Sequence, residues 1–235
     1  MKILLKNRGL LKISGKDARE FIQNQFSNDI EKLNHSSIQI NAYCQHQGKI
    51  IGLFWVMRYE DNFLLSFPID LADVIKSRLQ IFVIMSDVII DDISASYRQI
   101  GLIDEQHSNA YSLNDSLSLI IDNTIDKFDS KIEENIAWNL TCIKSSLPEV
   151  FLATSEKFVP QMLNLDIDEL GVSFSKGCYP GQEVVARLHY LGSAKRRLFS
   201  FQSDHEMQVG DSLYCATSKT ALARGDRYKG SGIVV

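Results

Sequence analysis

Cys178 stands inside Gly177-Cys178-Tyr179-Pro180-Gly181, with Lys176 two positions before it and Arg187 nine after. A cysteine so placed can act as a nucleophile, a redox site or a soft contact to sulfur or iron, and each of these draws on the thiolate. Gly177 and Gly181 permit positive φ or close approach of the backbone to a ligand, and Pro180 stiffens the turn between them. The turn is therefore expected to present the thiol to solvent. Residues 182–189 read as a short helix, so Cys178 precedes a helix N-terminus whose unpaired N–H groups, together with Lys176 and Arg187, favour the anion. Gln182 and Glu183 open that helix as a polar pair. A free cysteine is more commonly a small buried hydrophobe, so the residues alone leave a working thiol and a packing group both open.

Other candidates carry weaker signals. His189 lies on the same short helix and is a candidate base for Cys178, although a lone histidine beside Tyr190 is more commonly a surface group. His46 falls in a turn, and exposure alone accounts for it. From Lys176 onward there are nine Lys/Arg and five Asp/Glu, a net +4, whereas residues 1–175 carry −8. Arg187, Lys195, Arg196 and Arg197 thus make the C-terminal part the anion-binding end, if they are more than solvated surface charge. A nucleic-acid-binding module rests on this charge alone and lacks interleaved aromatics, so it ranks last.

The elements that must position these residues alternate in type. Residues 10–13 read as a strand and 16–26 as a helix with Ala18, Phe21, Ile22 and Phe26 on one face. Residues 38–44 and 50–58 form a hairpin about the turn Gln45-His46-Gln47-Gly48-Lys49. A strand at 63–67 leads through Pro68 to a helix with face Leu71, Ile75, Leu79 and Phe82, then to a strand at 83–90. Strands follow at 100–103 and 117–121. A helix over 132–142 turns Ile132, Ile136, Trp138, Leu140 and Ile143 to its apolar side, and β-rich runs are expected at 198–201 and 213–216. This is an α+β pattern with mostly antiparallel pairing.

Composition sets the outer limits. The 235 residues are 45% hydrophobic and 23% charged, enough for a sizeable core and two or three modules, and not a disordered composition. The N-terminal Met-Lys-Ile-Leu-Leu-Lys is too short an apolar run for a signal or a span, which makes a cytoplasmic protein the default expectation, with no membrane partner. Cys44, Cys142, Cys178 and Cys215 include no C-x-x-C pair, against a zinc ribbon, a thioredoxin motif or a disulfide framework. No metal site is expected.

The stretch Lys176-Gly177-Cys178-Tyr179-Pro180-Gly181-Gln182-Glu183 resembles the K-G-C-Y-x-G-Q-E motif of the YgfZ family, matching all seven of its fixed positions. These are folate-binding proteins related to the T-protein, or aminomethyltransferase, of the glycine cleavage system. The likeness continues through Val185-Ala186-Arg187 and Gly192-Ser193-Ala194-Lys195-Arg196. It also reaches back through Pro160-Gln161-Met162-Leu163-Asn164-Leu165, residues 171–174 and residues 11–18.

The resemblance implies an aminomethyltransferase-like folate-binding fold with ferredoxin-like antiparallel modules. These would be a first folate-binding module at 1–92, a second carrying the motif at 93–193, and a shortened C-terminal β-barrel part at 194–235. It further implies tetrahydrofolate or another folate as cofactor, and Trp138 as a tryptophan whose flat face suits a pterin. The position of a second folate-associated tryptophan is taken here by Arg8. The implied role is accessory, in making or repairing iron–sulfur clusters of client enzymes that include tRNA-thiomethylating ones. The protein would act as a monomer without direct nucleic-acid binding. Cys178 would be the working thiol, with Lys176 and Arg187 keeping it anionic and Tyr179 and Glu183 ordering the turn. The runner-up is a tetrahydrofolate-dependent aminomethyl transferase. The T-protein's acids follow a Gly-Gly turn after the first hairpin, and here the corresponding residues are Gly52 and Leu53, which cannot serve as acid or base.

Overall fold

The computed structural model describes residues 1–84, 86–123, 132–201 and 208–211 of the chain. A five-stranded antiparallel sheet is assembled from β2 (Arg8–Ser14), β3 (Gln39–Cys44), β4 (Ile50–Tyr59), β5 (Asn62–Pro68) and β6 (Ile89–Asp92). Its strand order is β3-β4-β5-β2-β6. A smaller antiparallel sheet joins β1 (Lys2–Leu4), β7 (Arg98–Ile103), β8 (Tyr111–Ser112) and β9 (Leu117–Asp122) in the order β1-β7-β9-β8. The N-terminal strand thus pairs with residues 100–102 of the second sheet.

The sequence Ile50-Ile51-Gly52-Leu53-Phe54-Trp55-Val56-Met57 has no polar alternation because both faces of the larger sheet are covered. On one side Phe54, Val56, Leu65 and Phe67 meet Phe21 and Ile22 of helix α1 (Ala18–Gln25) and Ile75 and Leu79 of α2 (Ala72–Gln80). On the other, Leu53, Trp55, Met57 and Leu64 join a core with Leu117 and Leu119 of the second sheet, Trp138 and Cys142 of α3 (Ile132–Lys144), and Val185. This second core draws residues from Ile3 to Val185, with none from α1 or α2. Gly101 makes the contact of α3 with the sheet possible, since a Cβ there would come within 2.5 Å of the Trp138 ring.

Three expectations need correction. The strand expected at 83–90 begins only at Ile89, because the chain at Asp87 is pinned to the turn before α1. Asp17 N–H donates to the Asp87 carbonyl (3.1 Å), and the Asp17 carboxylate accepts from Asp87 N–H (2.8 Å). Helix α3 buries Trp138 and Cys142, one turn apart, and leaves Ile136 and Leu140 exposed, so its inward stripe is narrower than the apolar residues suggest. Residues 198–201 form no strand; Leu198 and Phe201 pack against the core, and the Leu198 carbonyl accepts from Asn164 Nδ2 (3.0 Å). The run at 213–216, Cys215 and most of the expected barrel part fall outside the described residues. Among those described, no helix is long and apolar enough to cross a membrane.

Candidate functional site: the Cys178 turn and its supports

The motif turn leads into α4 (Gln182–Leu191), and the first structural demand falls on Gly181, the residue before the helix. It takes φ +83°, and a Cβ on it would lie 2.4 Å from the Gln45 carbonyl oxygen and 2.8 Å from Gly48 Cα. Gly48, itself at φ +75°, turns the β3–β4 hairpin, with Gly48 N–H donating to the Gln45 carbonyl (2.8 Å). Two glycines thereby let the motif and the hairpin turn touch backbone to backbone. Val184 packs over Gly48, Val185 is fully buried, and the buried Gln161 amide donates to the Val185 carbonyl (2.7 Å).

Lys176 is the second support. Its ammonium donates to the carbonyls of Gln23 (2.5 Å), Phe26 (2.6 Å) and Asn28 (2.8 Å), just where α1 ends. The Gln23 and Phe26 carbonyls lie at the C-terminal, negative end of the α1 dipole, a natural seat for a cation. Burial pushes the ammonium down to about 8, against an opposing pull from Asp29. Anchoring the motif to α1 is the role this geometry gives Lys176. Tyr179 is buried beside it, its ring centroid 5.5 Å from Lys176 Nζ. Burial, aided by the nearby Cys44, pushes the phenol well above its ordinary range, so Tyr179 is a neutral packing group.

Between these supports Cys178 is exposed, and nothing beyond its chain neighbours lies within 4 Å of where a Gly177 Cβ would stand. Cys44 and Cys142 are buried, and burial pushes both thiols up to about 12. Arg187 reaches back one turn to Glu183 (2.8 Å) on the exposed side of α4. His189 stacks on Phe174, ring centroids 3.7 Å apart, with Tyr190 edge-on to both. His46 is exposed in its hairpin turn. Arg197 lies against α4's supports, paired with Asp166 (2.5 and 3.0 Å) and donating to the Gln161 carbonyl (2.9 Å). Lys195 and Arg196 follow α4 in an irregular segment.

Trp138 sits elsewhere, in the core between the sheets, 4% exposed and 6.2 Å from the Trp55 ring. Next to it is a buried polar cluster that sequence reasoning did not assemble. Arg8 ion-pairs with Glu149, its guanidinium carbon lies 3.6 Å over Trp55, and its Nε donates to Ser66 Oγ (2.7 Å). Ser66 in turn donates to Gln99 Oε1 (2.5 Å), and Gln99 Nε2 donates to the Gly9 carbonyl (3.0 Å). The one sequence signal is an arginine two positions before the apolar run Leu10-Leu11 of β2. Gly52 faces α2, 3.0 Å from Ile75 Cδ1 at its would-be Cβ, and Leu53 is buried in the core shared by both sheets.

No family model matches the chain. A protein from Haemophilus influenzae described only as uncharacterized is 28% identical over 90% of this chain and 77% of its own length. The glycine cleavage system aminomethyltransferase T from Bartonella henselae is a partial structural likeness, with TM-score 0.39 and 14% identity over 43% of this chain and 27% of its own, and carries no weight for the fold. Proteins named tRNA-modifying protein YgfZ match over most of the chain: the one from Aliivibrio fischeri strain ES114 is 23% identical over 98% of this chain and 78% of its own. The one from Colwellia psychrerythraea is 31% identical over 89% of this chain and 76% of its own, and by that likeness the chain belongs to the YgfZ family.

Proposed function

We propose that this chain is a folate-binding accessory protein that supports the making or repair of iron–sulfur clusters in cytoplasmic client enzymes, tRNA-thiomethylating ones among them, with Cys178 as its working thiol. The observation that carries the reading is the exposed Cys178 on a turn held by buried supports: Lys176 on three carbonyls and Gly181 against Gly48. A merely packed cysteine has no need of such a mount. Family membership supports the tRNA side, since the named relatives are tRNA-modifying proteins.

A thiol so mounted can take part in exchange with a sulfur donor or oxidised partner, or contact a cluster in transit, and the open space at Gly177 leaves room for a client's backbone. Arg187 and Glu183 form a charged pair on the exposed face of the helix that follows the turn. The folate site we assign to the region between the sheets, where Trp55, Trp138, Glu149, Ser66 and Gln99 supply aromatic faces, a carboxylate and buried hydrogen-bonding groups. That set fits a flat, partly polar ring. Bound folate would supply a one-carbon carrier or a fixed structural ligand. Aminomethyl transfer is disfavoured because Gly52 and Leu53 hold no acid or base.

The test is complementation. In a strain lacking this protein, Cys178→Ala should fold and bind tetrahydrofolate as the parent does, yet leave tRNA thiomethylation unrestored. Full restoration would make the sulfur dispensable and overturn the thiol reading.

A further inference from the structure

The cluster around Arg8 poses a question of its own. Arg8 and Glu149 are an ion pair with side chains only 4% and 16% exposed. Such a pair recovers in Coulomb energy roughly what its burial costs, so apolar residues of the same volume would serve stability at least as well. What the cluster has that an apolar one lacks is shape and hydrogen-bonding pattern. A planar cation lies flat on Trp55 at 3.6 Å, its N–H edge faces a carboxylate, and Ser66 and Gln99 order its near side.

A guanidinium is a planar carbon bearing three nitrogens. The 2-amino-4-oxopyrimidine edge of a pterin contains the same N–C(NH₂)–N unit in a ring, with neighbouring N–H donors that one carboxylate can accept together. A tryptophan face below and a glutamate at the edge would hold either group alike.

We propose that Arg8 fills, from within the chain, a slot that accepts the aminopyrimidine edge of a pterin, and that a folate ring enters only as Arg8 leaves Trp55. Arg8 is then an internal competitor that sets folate affinity, and Glu149 is the ring's carboxylate partner. This rests on the folate reading above and adds to it the subsite and its regulation.

The test uses the full-length chain and two probes. Arg8→Ala should leave Trp55 uncovered and Glu149 unpaired. Methylguanidinium at a few millimolar should then raise the melting temperature of Arg8→Ala but not of the parent. Tetrahydrofolate, followed by quenching of the chain's two tryptophans, should bind the variant at least tenfold more tightly than the parent. Both gains should vanish in the Arg8→Ala, Glu149→Gln double variant. Should Arg8→Ala fail to fold, Arg8→Lys keeps a charge opposite Glu149 but cannot lie flat on the ring, and it should also bind folate more tightly than the parent. Unchanged folate affinity in a folded Arg8 variant, with the parent binding folate, overturns the slot and leaves the folate reading standing. No folate binding by parent or variants, even with methylguanidinium uptake, overturns the folate reading and the pterin slot with it.

Discussion

Cys178 and Lys176 are two residues apart, yet their environments are opposite, and the contrast gives two measurements. Cys178 is exposed, whereas burial holds Cys44 and Cys142 as thiols up to about 12. An alkylating agent near pH 7.5 should therefore label Cys178 well before those two, as peptide mapping after brief exposure would reveal; labelling of Cys142 or Cys44 first would mean that the turn is not presented as described. Lys176 carries the opposite burden. Its ammonium titrates near 8 when folded and at the ordinary 10.5 when unfolded. Between these values the unfolded chain holds a proton that the folded chain has shed, so this group makes stability rise with pH across that window, and below it the full cost of burying the charge is present. Lys176→Met should remove that rise from denaturant midpoints taken between pH 8 and 10.5. At neutral pH it should still cost about 1–3 kcal/mol, because three carbonyls lose their donor.

At the scale of elements, the decisive contact is α4 against the β3–β4 hairpin. Helix propensity alone would let residues 182–191 form a helix in many orientations; the meeting of Gly181 and Gly48 fixes one. Gly181→Ala would carry a strained positive φ and a methyl 2.4 Å from a carbonyl oxygen, so the turn must shift. It should destabilise the protein by about 1–3 kcal/mol and change the alkylation rate of Cys178. Equal stability together with an unchanged rate would show that α4 is not located by this contact. The α3 helix obeys a similar rule, with Gly101 as the flat surface beneath Trp138.

Over the whole molecule, the larger sheet separates two cores. One is local, closed by α1 and α2; the other is shared by both sheets, α3 and α4. Because Trp138 belongs to the shared core, its truncation mixes two effects. Trp138→Ala should cost about 3–5 kcal/mol of stability as a buried aromatic, while the milder Trp138→Phe keeps the core filled. If the ring also meets a folate, Trp138→Phe should weaken tetrahydrofolate binding, and Trp138→Ala should weaken it further, by about 1–3 kcal/mol. Equal affinity in parent and Trp138→Phe would assign Trp138 to the core alone.

The amino-acid sequence by itself determined the alternation of strands and helices, the hairpin about residues 45–49, the glycine-bracketed turn that exposes Cys178, and the family motif. These signals are local: apolar period, turn chemistry and glycine placement act within a few residues. What only the tertiary structure decided is which groups meet. Lys176 reads as a neighbour of Cys178, but its ammonium ends on carbonyls 148 to 153 positions away. Trp138 and Ile136 are equally apolar in sequence, yet only the first faces the core, because Gly101 leaves room for it. Arg8 finds Glu149 141 residues along the chain, over a tryptophan that belongs to a different strand. Partner choice over such separations is made by packing, where the shape of one core selects among many chemically suitable mates, and no spacing along the chain encodes it.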